Sequence, residues 1–200
     1  MSKFFSLDEL TKKDEEKEEV GGKAVEKFID LHTEKVKNIR QLTGRLPTEG
    51  EAFFLWTVNS FNAFTFIPFI IRECGIINEI YIATYSINTR IIDALMRLIN
   101  SGKILNVHLF ISDSIKYRLP RVYDHLDALC SNRKEITVHY AWNHAKIALI
   151  KAGDNFFDVE GSGNFSENAQ HEQYVFINSE KIYKFRKEEI INGFLSGTNS

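Results

Sequence analysis

The feature that most constrains this chain is the stretch from His144 to Glu172, HAKIALIKAGDNFFDVEGSGNFSENAQHE. His144 and Lys146 open an apolar run, Ile147-Ala148-Leu149-Ile150, and in a strand residues two apart project from the same face. An imidazole and an ammonium therefore sit side by side. A turn over Lys151-Ala152-Gly153-Asp154-Asn155 leads into a second strand-like run, Phe156 to Glu160, and then into Gly161-Ser162-Gly163-Asn164. That glycine-flanked turn brings backbone N–H groups, a hydroxyl and an amide toward the same end of the hairpin, which suits a developing oxyanion.

The rest of the chain reads as scaffold. Phe53 to Val58, aromatic and β-branched, suits a buried strand. Ser60 or Asn62 can cap a helix over Ala63 to Ile71, with Pro68 near enough to its start to be tolerated. Glu79 to Tyr85 is a strand, Asn88 or Thr89 caps a helix from Arg90 to Asn100 ending at Gly102, and Leu105 to Ser112 is a further strand. Arg121 to Cys130 reads as a helix, Ile136 to Tyr140 as a strand, Gln173 to Asn178 as a strand and Tyr183 to Phe194 as a closing helix. Strands alternating with helices predict an α/β layered domain, to which the hairpin and Gln173 to Asn178 add antiparallel strands.

Residues 1 to 47 differ in kind and are expected to form a charged N-terminal helical arm on a domain spanning 48 to 200. Lys12 to Glu19 is a solvated mixed-charge run, Gly21-Gly22 breaks it, and Val25, Phe28, Ile29, Leu31 and His32 mark one stripe of a helix running toward Ile39. The arm either packs on the domain or serves oligomerisation or partner binding.

With 44% hydrophobic residues the chain can bury a full core. A net charge of −2 and a pI near 6.3 give no global basic signal, so any nucleic-acid contact must use a local patch. Cys74 and Cys130 are the only cysteines and read as buried free thiols of a reducing compartment. The N-terminus lacks an apolar signal-peptide core, and Phe64 to Ile71 is too short to span a bilayer. The expectation is a cytoplasmic protein with no stable membrane association.

The ordered set His144-x-Lys146, Gly161-Ser162-x-Asn164 and Glu172 resembles the phospholipase D superfamily, whose signature is H-x-K-x4-D-x6-G-S-x-N. Asp154 precedes Gly161 at the spacing the pattern asks. Seven residues rather than four separate it from Lys146, and Lys151 holds the strict aspartate position, so the hairpin is read as lengthened by three residues. The resemblance implies a phospholipase D-like mixed sheet flanked by helices, and a metal-independent phosphodiesterase with no cofactor. It implies His144 as nucleophile through a phosphohistidine, and Lys146, Ser162 and Asn164 on the phosphate. Glu172 is expected to orient the imidazole. One motif histidine leaves the second acid–base role unfilled, which points to a homodimer with a shared site. Nucleic acid is the expected substrate, since compact single-motif members are mostly nucleases.

His139, His144 and His171 lack zinc-site spacing, so no metal is expected. Two alternatives stay open: a phospholipid-cleaving member of the same superfamily, and a catalytically degenerate binding or structural module.

Overall fold

Period-two burial decides the sheet. In a computed structural model describing residues 35–58, 61–131, 133–166 and 171–196, Ile80, Ile82, Ala148, Ile150, Phe157, Val159, Tyr174 and Phe176 point to one face and form the main core. The alternate residues Tyr81, Ala83 and Leu149 point to the other face, where they meet Phe110, Tyr183 and Ile190.

The strands are β1 (Glu51–Val58), β2 (Glu79–Thr84), β3 (Val107–Ser112), β4 (Ile136–Ala141), β5 (Lys146–Ala152), β6 (Asn155–Gly161) and β7 (His171–Asn178). Among the described residues they form one seven-stranded sheet in the order β1-β7-β6-β5-β2-β3-β4. β2, β3 and β4 are mutually parallel, and β5, β6, β7 and β1 add antiparallel neighbours. The fold is thus mixed α/β, as the alternation of elements implied.

Helices cover both faces. On the main-core face lie α1 (35–43), α2 (Phe66–Cys74, entered through a 3-10 turn at Ala63–Thr65), α3 (Thr89–Asn100), the single turn α4 (Ile115–Arg118) and α5 (Pro120–Cys130). On the opposite face lies α6 (Glu180–Ser196). It is pinned to β2 because Tyr183 Oη and Lys187 Nζ both donate to Glu79 Oε1, at 2.9 and 2.7 Å. Asn88 caps α3 as expected, its Oδ1 accepting the Ile91 N–H at 2.9 Å. Gly102, at φ +67°, lets the backbone leave that helix.

Several expectations are corrected. The three added residues of the β5–β6 hairpin lengthen its strands and not its loop: Ala152 pairs with Asn155 across a two-residue turn whose Gly153 adopts φ +60°. Lys151 is an ordinary strand residue with its ammonium over the Phe156 ring, and Asp154 belongs to the turn. The strand Phe53 to Val58 is an edge, not a buried strand: among the described residues it pairs only with β7, and Phe54 and Trp56 are 81% and 65% exposed. Asn62 makes no side-chain cap to its helix; its Oδ1 takes the Thr65 hydroxyl, and the alternative cap Ser60 lies outside the described residues. The cysteines are free but half-buried at the ends of α2 and α5.

Of the arm, the charged run and the stripe from Val25 to His32 lie outside the described residues. Val36 and Ile39 of α1 are buried in the main core, and Asn178 Nδ2 donates to the Pro47 carbonyl at 3.0 Å. No helix among the described residues is long and apolar enough to cross a membrane.

Candidate active site

β5 runs antiparallel to β2, so its first residue, Lys146, pairs with Thr84 at the C-terminal end of β2. That register brings the start of β5 to the end of the sheet where the parallel strands finish, the usual crevice of α/β sheets. The C-terminus of β6 and the N-terminus of β7 arrive at the same end, through Ile147 opposite Glu160 and Gly161 opposite Tyr174.

Asn143 fixes the turn before β5. Its Nδ2 donates to the carbonyls of Thr84 and Phe110, at 3.3 and 3.0 Å, and its Oδ1 accepts the Ala145 N–H at 2.8 Å. One side chain thereby ties β2, β3 and the His144 backbone together. His144 itself is exposed, with its ring centroid 4.7 Å from that of Tyr85, and the Arg118 guanidinium lies 4.0 Å over the Tyr85 ring. Lys146 Nζ is 3.3 Å from His144 Nδ1 and donates to the His144 carbonyl at 3.1 Å. Partial burial draws the Lys146 ammonium below its ordinary pKa, and the nearby Glu172 carboxylate draws it back up.

The glycine turn is held from β7. Gly161 is required by close approach, since a Cβ there would stand 2.3 Å from the Gln173 carbonyl oxygen and 2.6 Å from Tyr174 Cδ1. Ser162 N–H donates to the same carbonyl at 3.1 Å, and Ser162 Oγ accepts the Gln173 N–H at 3.1 Å. The one hydroxyl proton goes to Glu172 Oε2 in a very short bond. Glu172 is buried, and it meets Ser162 rather than the imidazole it was expected to orient. Asn164 Oδ1 is buried without a hydrogen-bond partner among the described residues.

His144, Lys146, Gly161 and Ser162 line one cavity of about 530 Å³, with Glu160 on its wall. Glu160 is held by Arg186 of α6, whose Nε and Nη2 donate to its two oxygens at 2.5 and 3.0 Å. Beneath that pair Asp158 is fully buried; burial first, then the Glu160 charge, push its carboxyl up to about 8. His139 stacks on Phe110 on the α6 side of the sheet, and His171 Nδ1 accepts the Trp56 Nε1–H at 3.1 Å. Among the described residues neither touches His144, and no group of three or more metal-ligating side chains is present.

Sequence reading missed Tyr85, Arg118, Asn143 and the Glu160–Arg186 pair. Tyr85 and Arg118 follow β2 and β3, and the rule that ligands gather beyond the carboxyl ends of parallel strands could have found them. Asn143, immediately before His144, carries the ordinary signal of a side chain that bonds the backbone two residues on.

No family model matches the sequence, and no curated protein matches it. Among solved structures, the chain is similar to polyphosphate kinase from Porphyromonas gingivalis, with TM-score 0.52 and 21% identity over 72% of this chain. That neighbour has the phospholipase D-like fold. So does this chain. It spans 26% of the kinase's length, and the likeness is one of fold. Similarity at TM-score 0.48 and 12% identity extends to the archaeal chromatin protein TrmBL2, over 84% of this chain and 62% of that one. A phosphatidylserine synthase from Haemophilus influenzae matches at the same values, over 70% of this chain and 38% of that one.

Proposed function

We propose that this chain is a metal-independent phosphodiesterase of the phospholipase D-like type, cleaving nucleic acid through a phosphohistidine on His144. The observation that carries this reading is the imidazole and ammonium held side by side in the cavity beneath the Gly161–Ser162 turn, on a phospholipase D-like sheet. A phosphodiester resists attack because its anionic oxygens repel nucleophiles. Lys146 offsets that charge as it concentrates in the transition state. His144 attacks phosphorus, the bond to the leaving oxygen breaks, and a second acid supplies the proton that oxygen needs. Water then attacks the phosphohistidine, giving its proton to the same group, and the P–N bond breaks. The second group is His144 of another copy of the chain. Ser162 serves as a brace, its proton committed to Glu172, and Asn164 can meet a phosphate oxygen through its Nδ2–H donors.

The test is hydrolysis by purified protein of DNA, RNA, bis-p-nitrophenyl phosphate and phosphatidylcholine vesicles, with and without EDTA. Cleavage of nucleic acid that survives EDTA is expected; cleavage of the vesicles alone would turn the reading to a lipid substrate. A binding module without turnover is the second reading, favoured by Glu172 meeting Ser162 instead of His144. Silence on all four substrates would decide for it.

A further inference from the structure

A second cavity adjoins the first at the start of β5. Ala145 and Ile147 line the catalytic cavity and also line this second one, of about 250 Å³, between the β4–β5 turn and α6. Its α6 side carries Ile190, Gly193 and Phe194, and Trp142 stands on its rim 89% exposed. Arg186 lines this second cavity while its partner Glu160 lines the first, so their ion pair is the partition between the two.

We propose that this second cavity is a nucleobase subsite, seating an unpaired base next to the phosphate at His144, which makes the substrate single-stranded nucleic acid. The inference rests on the phosphodiesterase reading and names its substrate class. A cavity of about 250 Å³ falls below the ~300–1,000 Å³ of sites that enclose a whole drug-sized ligand, and it has room for one ring system. An indole left almost wholly in water is the platform on which a planar base stacks, whatever its identity. A base inside a duplex cannot enter, because its faces are already stacked and its edge is paired.

Gly193 provides the test, since a Cβ there would meet no heavy atom within 4 Å and a larger side chain would grow into open space beside the cavity. In a Trp56→Phe background Trp142 is the only tryptophan. Its emission should be quenched by the octamer (dT)8 with an affinity roughly tenfold above that for an abasic octamer of equal charge. Adding Gly193→Leu should weaken (dT)8 roughly tenfold with circular dichroism unchanged. Should that variant misfold, Trp142→Ala at its exposed position, read by anisotropy of labelled (dT)8, carries the same expectation. Equal binding of the abasic octamer, or an emission shift with phosphatidylcholine vesicles and none with (dT)8, would overturn the subsite. A nuclease that depends on His144 yet shows no Trp142 response to (dT)8 overturns the subsite alone. A protein that cleaves nothing but shows a Gly193-sensitive (dT)8 response overturns the phosphodiesterase reading alone.

Discussion

Lys146 Nζ stands 3.3 Å from Nδ1 of His144, the ring nitrogen and not the outer edge of the imidazole being turned toward the ammonium. An ammonium can only donate, so the Nδ1 it meets carries the lone pair and Nε2 carries the proton. That contact places the proton of a neutral His144 on Nε2, and the proposed mechanism then requires Lys146 to move from Nδ1 to a phosphate oxygen before Nε2 can attack. Nitrogen-15 NMR of His144 should show the Nε2–H tautomer in the free protein and a shift from it on adding tungstate as a phosphate mimic. An Nδ1–H tautomer in the free protein would contradict this resting state.

Substitution separates the two roles. His144→Ala should fold and, under the proposed mechanism, lose essentially all turnover, because it removes the proposed nucleophile. Lys146→Met keeps the aliphatic stem and should lose about a hundredfold in kcat with a smaller change in KM, the pattern of an interaction strengthened in the transition state. A folded, active His144→Ala protein would sink the mechanism.

Asp158 ties stability to pH. Its carboxyl pKa is raised from 3.8 to about 8, so between those values the unfolded chain is ionised there while the folded protein keeps the proton. The stability this group contributes is full below the unfolded pKa and lost as pH rises through about 8, at a slope of up to ~1.4 kcal/mol per pH unit. Asp158→Asn removes the titration. Urea unfolding should find the variant gaining on the parent by more than ~1 kcal/mol between pH 5 and pH 8, and parallel curves would show that the acid is not buried as described.

Much of this was legible beforehand, for reasons that differ by element. Ile80 and Ile82 alternate with Tyr81 and Ala83, and Ile91, Ile92, Leu95 and Ile99 follow the helical period behind Asn88, so β2 and α3 announce themselves. β1 was harder: Phe53 to Val58 has a buried strand's composition, but whether Phe54 and Trp56 are covered depends on what lies beyond β7, which no local pattern encodes. α4 is one turn and too short to show a period. At the site, His144, Lys146, Gly161 and Ser162 are brought together by one hairpin and could be read from spacing. Glu160 with Arg186 joins residues 26 apart on different elements, and the bond between Ser162 and Glu172 depends on how the ends of β6 and β7 meet, which no local pattern encodes.

The arm can be divided by truncation. α1 contributes Val36 and Ile39 to the main core, and Pro47 accepts a hydrogen bond from buried Asn178. Each of those two apolar side chains is worth ~1.5–3 kcal/mol on burial. Deleting residues 1–47 should therefore lower the melting temperature by several degrees, or promote aggregation, relative to deleting residues 1–34. Equal stability of the two truncations would show that α1 is dispensable to the core.

The last prediction concerns the missing acid. In-line displacement at phosphorus needs a nucleophile on one side and a proton donor on the other, and the two in-chain candidates are otherwise engaged: His139 lies flat on Phe110, and His171 holds the Trp56 indole. A two-fold axis beside the cleft would set His144 of one chain opposite His144 of another with no new residue, and two-fold dimers are the commonest oligomers. Wild type mixed with a tenfold excess of His144→Ala protein, after subunit exchange, should then lose activity per wild-type chain on the order of tenfold, because most wild-type chains face a partner lacking the histidine. Activity per wild-type chain that holds steady, or a monomer that turns over in the analytical ultracentrifuge, would overturn the shared site. Histidine-to-glutamine variants at His139 and His171 would then identify which of them reaches the cleft.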